Sequence, residues 1–157
     1  FDNPKTFKGE LSLNEIDALI DSSVLLAYKS GDPFAKTLMF KAIDKDILLG
    51  LTTFSLFNIW SRSDFDRKSE IGFISLIEYL TVIEIDFESA INSANSLRNA
   101  NETIEESKSV FEFDTIEQYF IQHLQNKLSK KLITNSPEKY NILTTDFTDI
   151  EHFLKAN

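Results

Sequence analysis

Short apolar runs closed by a carboxylate or a threonine alternate with stretches of helical periodicity along this 157-residue chain, and that alternation constrains the fold most. Ala18-Leu19-Ile20, bounded by Asp17 and Asp21, has the pattern of a buried parallel strand ending in a carboxylate. A helix starts near Ser22 or Ser23 and carries Val24, Leu25 and Leu26. Gly31-Asp32-Pro33 breaks it, and Pro33 suits the first turn of the next helix, Phe34 to Ile43. Ile47 to Leu51 reads as a second strand, after which Thr52 or Thr53 caps a helix through Trp60. Past a charged turn, Ser63 to Glu70, a helical stripe runs from Ile71 to Leu80, and Thr81 to Ile85 forms a third strand. Ala90, Ile91, Ala94 and Leu97 mark another helix, and Arg98 to Lys108 reads as a polar connector. Asp114 to Leu128 is a long helix with Ile116, Phe120, Ile121, Leu124 and Leu128 on one side. Polar residues Ser129 to Tyr140 then precede a fourth strand, Asn141 to Thr144, and a last short helix, Asp149 to Leu154.

Strands alternating with helices predict an α/β fold: one parallel sheet of four or five strands, flanked by helices and joined by right-handed crossovers. Only four Gly and three Pro interrupt it, which favours long regular elements. Residues 1–14 read as an irregular N-terminal arm and 15–157 as a single domain. Fourteen Phe within a 42% apolar composition are enough for a core without covalent staples. With no Cys, disulfide scaffolds, thiolate metal sites and Cys nucleophiles are excluded. The apolar stretch Ile71 to Ile85 is interrupted by Glu78 and Glu84, so no membrane partner is expected. No secretory-type leader is recognisable, and the expected location is the cytoplasm. A net charge of -9 repels polyanions at long range, so a nucleic acid would need a metal or a local basic patch. Lys127, Lys130 and Lys131 are the candidates for that patch.

In a doubly wound sheet, ligands gather at the carboxyl ends of the strands. Asp21 ends the first strand, Asp146 follows the fourth by two residues, and Asp114 or Glu117 opens the long helix. Oxygen ligands of this kind suit Mg²⁺ or Mn²⁺. Asp114-Thr115-Ile116-Glu117 also reads as a capping box. Glu117 precedes Phe120, Ile121 and Leu124 by three, four and seven residues, which puts it on the apolar face looking into the fold. Asp21 has an alternative role as a helix cap, and Asn58, between Phe57 and Ile59, an alternative role as a buried hydrogen-bonding group. Trp60, Phe54 and Phe57 read as core. Ser22 and Ser23 have no matching His, against serine hydrolysis, and no Gly-rich phosphate loop is present.

Asp21-Ser22-Ser23-Val24-Leu25-Leu26 and Leu143-Thr144-Thr145-Asp146-Phe147 resemble the opening and late motifs of the PIN domain family, which includes the toxic nucleases of toxin–antitoxin pairs. The resemblance implies a metal-dependent endoribonuclease in which Asp21, Glu117 and Asp146 hold Mg²⁺ or Mn²⁺ against an RNA phosphodiester. Asp149 is a further ligand, and Ser23, Asn58, Asp114 and Thr144 are secondary candidates. An antitoxin or other protein partner, and a homodimer through the Phe34 to Ile43 or Ile71 to Leu80 helix, are implied in the same way. The family's Glu on the helix after the second strand is replaced here by Asn58. Asn offers a carbonyl oxygen but no charge and no base, and its presence leads to the alternative of a degenerate PIN domain acting as an interaction module.

Overall fold

Parallel pairing of five strands organises the molecule, which the computed structural model describes over residues 13–101, 112–140 and 146–156. The described elements run in the order β1 (Ala18–Ile20), α1 (Ser22–Lys29), α2 (Pro33–Ile43), β2 (Leu49–Thr52), α3 (Thr53–Trp60), α4 (Arg67–Ile77), β3 (Thr81–Ile83), α5 (Phe87–Asn101), α6 (Phe113–Leu128), β4 (Lys131–Thr134), a 3₁₀ turn (Pro137–Tyr140), β5 (Phe147–Asp149) and α7 (Ile150–Ala156). Strand order is β3-β2-β1-β4-β5, every neighbouring pair parallel. The α/β architecture expected from the sequence is therefore present, with five strands.

The alternation of side chains along each strand divides the core between the two faces of the sheet. Ala18, Ile20, Leu49, Leu51, Val82 and Ile133 point to the side covered by α1, α2, α3, α4 and α7. Leu19, Ile83 and Leu132 point to the other, where Ile121 and Leu124 of α6 pack with Tyr140. Removing one such large aliphatic side chain from water contributes roughly 1.5–3 kcal/mol. Gly50 is required on the second face by close approach: a Cβ there would lie 2.9 Å from Ile16 Cδ1 and 3.0 Å from Ile83 Cδ1.

Local chemistry sets the helix starts. Asp21, Asp32, Thr52 and Asp66 each cap a helix by accepting a backbone N–H two or three residues on. The expected capping box at Asp114 does not form: α6 begins one residue earlier, with Glu112 at the cap position and no side-chain cap bond. Asp114 is released to bond elsewhere.

A strand forms where none was expected from sequence. Segment 131–134, read from sequence as part of a polar connector, pairs with β1 in the register Ala18↔Lys131, Leu19↔Leu132, Ile20↔Ile133. The pair Leu132-Ile133 suffices because one side chain is buried on each face. Residues 141–144, to which a fourth strand was assigned, lie outside the described residues, as do Thr144 and residues 1–12 of the expected arm. Helix α5 also continues through Asn101, so the expected connector is helical over its first four residues, and 102–108 lie outside the described residues. Phe57, expected in the core, is half exposed.

Candidate functional site

Because β1 is the central strand and α1 starts directly after it, Asp21 lies at the middle of the carboxyl edge of the sheet. Its carboxylate is buried and caps α1. Oδ1 accepts from Ser23 N (3.1 Å) and Ser23 Oγ (2.5 Å). Oδ2 accepts from Thr134 Oγ1 (2.6 Å), at the end of the neighbouring strand β4, and from Tyr140 OH (2.8 Å) of the 3₁₀ turn. Ser23 Oγ accepts in turn from Asn135 N (2.8 Å).

Helix α6 carries Glu117 to the same edge, on the inward face expected from its spacing. It is 3% exposed. Oε2 accepts from Ser22 N (2.8 Å) and from Ser55 Oγ, and Oε1 from Ser22 Oγ (2.8 Å) and Asn58 Nδ2 (3.1 Å). Asn58, one turn beyond Ser55 on α3, also points Nδ2 at Ser22 Oγ (3.0 Å) and Asp114 Oδ1 (2.8 Å). The amide has two hydrogens for three acceptors, so one of them is shared. Lys139 Nζ completes the line with an ion pair to Asp114 Oδ2.

Burial pushes the Glu117 carboxyl up to about 7, and the nearby charge of Asp21 pushes in the same direction, against the donors from Ser55 and Ser22. Asp21 is also raised by burial, opposed by its bonds from Ser23, Thr134 and Tyr140. Tyr140 is driven upward by burial and by the acids it faces, and it stays a phenol donor. Asp114 behaves in the opposite way: burial raises it, but Lys139 and Asn58 together outweigh that effect and leave it below the usual carboxylate range.

Sequence reasoning placed Asp21, Glu117, Asn58, Asp114 and Ser23 together, and they are together. Asp146 is not with them. It precedes β5, its carbonyl accepts from Leu132 N (2.9 Å), and Phe147 is level with Leu132, which puts Asp146 at the amino edge of a parallel sheet whose carboxyl edge holds Asp21. The expectation that Asp21 and Asp146 share an edge fails because Asp146 stands at the amino end of β5, a strand parallel to β1. Asp149 ends β5 at the carboxyl edge, and its carboxylate accepts from the backbone N–H of His152 (2.7 Å) and contacts the His152 ring. Lys131 opens β4 at the amino edge and Lys127 pairs with Glu88, so these two expected phosphate contacts are away from the acids; Lys130, just before β4, goes with them. Thr134, Ser55 and Tyr140 were missed. Thr134 ends a strand in the manner of Asp21, and that was the available signal.

As their hydrogen bonds stand, Asp21 and Glu117 offer a divalent ion no free carboxylate oxygen. Such an ion needs several free oxygen ligands, and Mg²⁺ needs near-octahedral geometry. Among the described residues, no group of three or more His, Cys, Asp or Glu is arranged to hold a metal. Both oxygens of Asp21 and both of Glu117 already accept from protein donors, two of which, Ser22 N and Ser23 N, are fixed backbone groups. Asn58 turns its nitrogen, not its oxygen, toward the acids.

No family model matches the sequence, and no curated protein sequence matches it. Solved structures do match. A chain of the DNA-bound VapBC from Salmonella typhimurium aligns with a TM-score of 0.62 at 13% identity, over 86% of this chain and 98% of that one. VapBC2 from Rickettsia felis, bound to a DNA fragment from its promoter, gives 0.61 at 13% identity, over 84% and 97%. A toxin–antitoxin complex from Klebsiella pneumoniae gives 0.58 at 14%, over 85% and 97%. The fold is thus of the PIN-like α/β class. Two of these three neighbours are VapBC structures and the third is a toxin–antitoxin complex.

Proposed function

We propose that the chain is a toxin-like PIN domain that has given up strong metal-dependent cleavage and serves as a binding module for a protein partner. The observation that carries this reading is the closed acid pair: every oxygen of Asp21 and Glu117 is engaged by Ser, Thr, Tyr, Asn or backbone donors, and Asn58 stands where the resemblance calls for Glu. A protein partner is supported by the solved neighbours, which are complexes of two proteins. It is supported also by an aromatic edge at which Phe57 and Phe113, both exposed, pack on each other with ring centroids 5.1 Å apart. The partner is of the antitoxin kind. A homodimer is the further arrangement, using Phe40 of α2 or Ile71 of α4, which are exposed.

A second reading is favoured by the two buried carboxylates themselves: an endoribonuclease acting in the cytoplasm on RNA phosphodiesters, with Asp21 and Glu117 recruiting Mg²⁺ or Mn²⁺ once their hydroxyl donors rotate away. Calorimetry with Mn²⁺, run beside an RNA cleavage assay, separates the two. The module reading expects no binding heat below millimolar Mn²⁺ and intact RNA. It also expects Asn58→Glu to destabilise the apo protein, because a third carboxylate joins a closed pair, and to create Mn²⁺ affinity that restores stability by mass action. Micromolar Mn²⁺ binding by the wild type, with cleavage abolished in Asp21→Ala, establishes the ribonuclease instead.

A further inference from the structure

The amino edge of the sheet, opposite the buried acids, borders a cavity of about 470 Å³, within the range of small-ligand pockets. Parallel register makes room for it. Leu49, Ala18 and Lys131 stand level on β2, β1 and β4, so the middle of that row is filled by a methyl group alone. Lys131 precedes Ile133 by two residues on one strand, which turns it to the face that α2 and α7 cover. There Lys41, in the last turn of α2, and Phe153 of α7 line the cavity together with Asp17, Asp46 and Ile47. Ile47 is buried and Phe153 packs against the core, and these two supply the apolar lining. Asp17 and Lys131 come from the strand ends, Lys41 and Asp46 from the end of α2 and the connection after it. Each side therefore carries one charge of each sign. Asp17 Oδ2 accepts from Leu48 N (2.8 Å), which anchors that carboxylate beside the start of β2. Among the described residues, the four charged groups make no ion pair with one another.

We propose that this cavity binds a small zwitterion with an apolar side chain, a free α-amino acid being the ligand class. Two ammonium groups and two carboxylates sum to zero, which favours neither a polyanion nor a polycation. A ligand with one charge of each sign is complementary to them. Its carboxylate lies between Lys41 and Lys131 and its ammonium between Asp17 and Asp46, so each link joins the strand ends to the α2 side. Its side chain lies on Ile47 and Phe153. Partial enclosure by that apolar lining makes such charge pairs stronger than they are in open water. The cavity shares no lining residue with the site around Asp21 and Glu117, and the proposal stands under either reading of those acids.

The test is ligand-observed NMR titration with free phenylalanine, leucine and glycine, and with two phenylalanine derivatives that each lack one charge, the amide and the N-acetyl acid. Phenylalanine and leucine are expected to bind with a Kd below about 1 mM. Glycine binds more weakly, because it has no side chain to bury. Each derivative is expected to bind about tenfold more weakly than phenylalanine, the loss that goes with one charge-assisted contact. Lys131→Met weakens phenylalanine severalfold and leaves the amide unchanged, whereas Asp46→Asn weakens phenylalanine and leaves the N-acetyl acid unchanged. A general disturbance of structure lowers all the ligands alike and does not produce that crossed pattern. Both positions are exposed, and melting curves establish that the variants are folded. The proposal is overturned if neither phenylalanine nor leucine binds at about 10 mM. Derivatives that bind as well as phenylalanine overturn it too, since charge of one sign then suffices, and so does wild-type affinity in both variants.

Discussion

At Asn58 a single side chain determines how much charge the pocket holds. Glu in its place would put a third carboxylate beside Asp114 and Glu117, whereas the amide donates to both of them, and Asp21 is satisfied separately by Ser23, Thr134 and Tyr140. The remaining strain is electrostatic and has a sign. Glu117 is raised from 4.5 to about 7, so between those values the folded protein holds a proton that the unfolded chain has lost. Deprotonation on the alkaline side of the window therefore costs native stability. Urea unfolding is expected to give a stability about 3 kcal/mol higher near pH ~5 than near pH ~8, with most of the fall between these limits. The lowered carboxyls of Asp114 and Asp149 act with the opposite sign, removing stability only as pH falls below their ordinary values. Glu117→Gln should flatten the alkaline fall, and a wild-type curve already flat there would show that the pair carries no such strain.

The elements that sequence exposes best are those with a complete local code. β1 and α1 were legible because an apolar triplet, a capping Asp and a helical stripe follow one another without interruption, and α6 because its apolar face repeats over four turns. β4 was not legible: it has two buried aliphatics after an exposed Lys131, and what makes it a strand is the bare edge of β1, a tertiary cause. Without β4, Thr134 stayed out of the expected site, and without β5 Asp146 was counted in. The junction between α6 and β4 makes its own prediction. Ser129 ends α6 in the left-handed region, at φ 57 and ψ 45, with its side chain exposed. A non-glycine residue there costs roughly 1–2 kcal/mol, so Ser129→Gly is expected to raise the melting temperature by about 2–4 °C. A lowered melting temperature would mean that the hydroxyl makes a bond worth more than the relief.

Seen as a whole, the sheet is assembled outward from its middle. β1 is the first of the described strands and sits at the centre, with β2 and β3 on one side and β4 and β5, from later in the sequence, on the other. The buried acids lie on the line where these parts meet: Asp21 is bonded to Thr134 and Tyr140, and Glu117 to Ser22, Ser55 and Asn58. A nascent chain released only as far as α5 would thus carry β1 with one edge unpaired, a template for mispairing until the remainder emerges. The same geometry makes the molecule divisible. Fragments cut within segment 102–111 are expected to reassemble when co-expressed, restoring the helical and sheet signals of the intact protein. The N-terminal fragment alone should aggregate; if it is instead a folded monomer, β1 does not depend on β4. Asp21→Asn should weaken that reassembly more than it weakens the uncut chain, because the carboxylate acts here as a suture between two halves of one polypeptide.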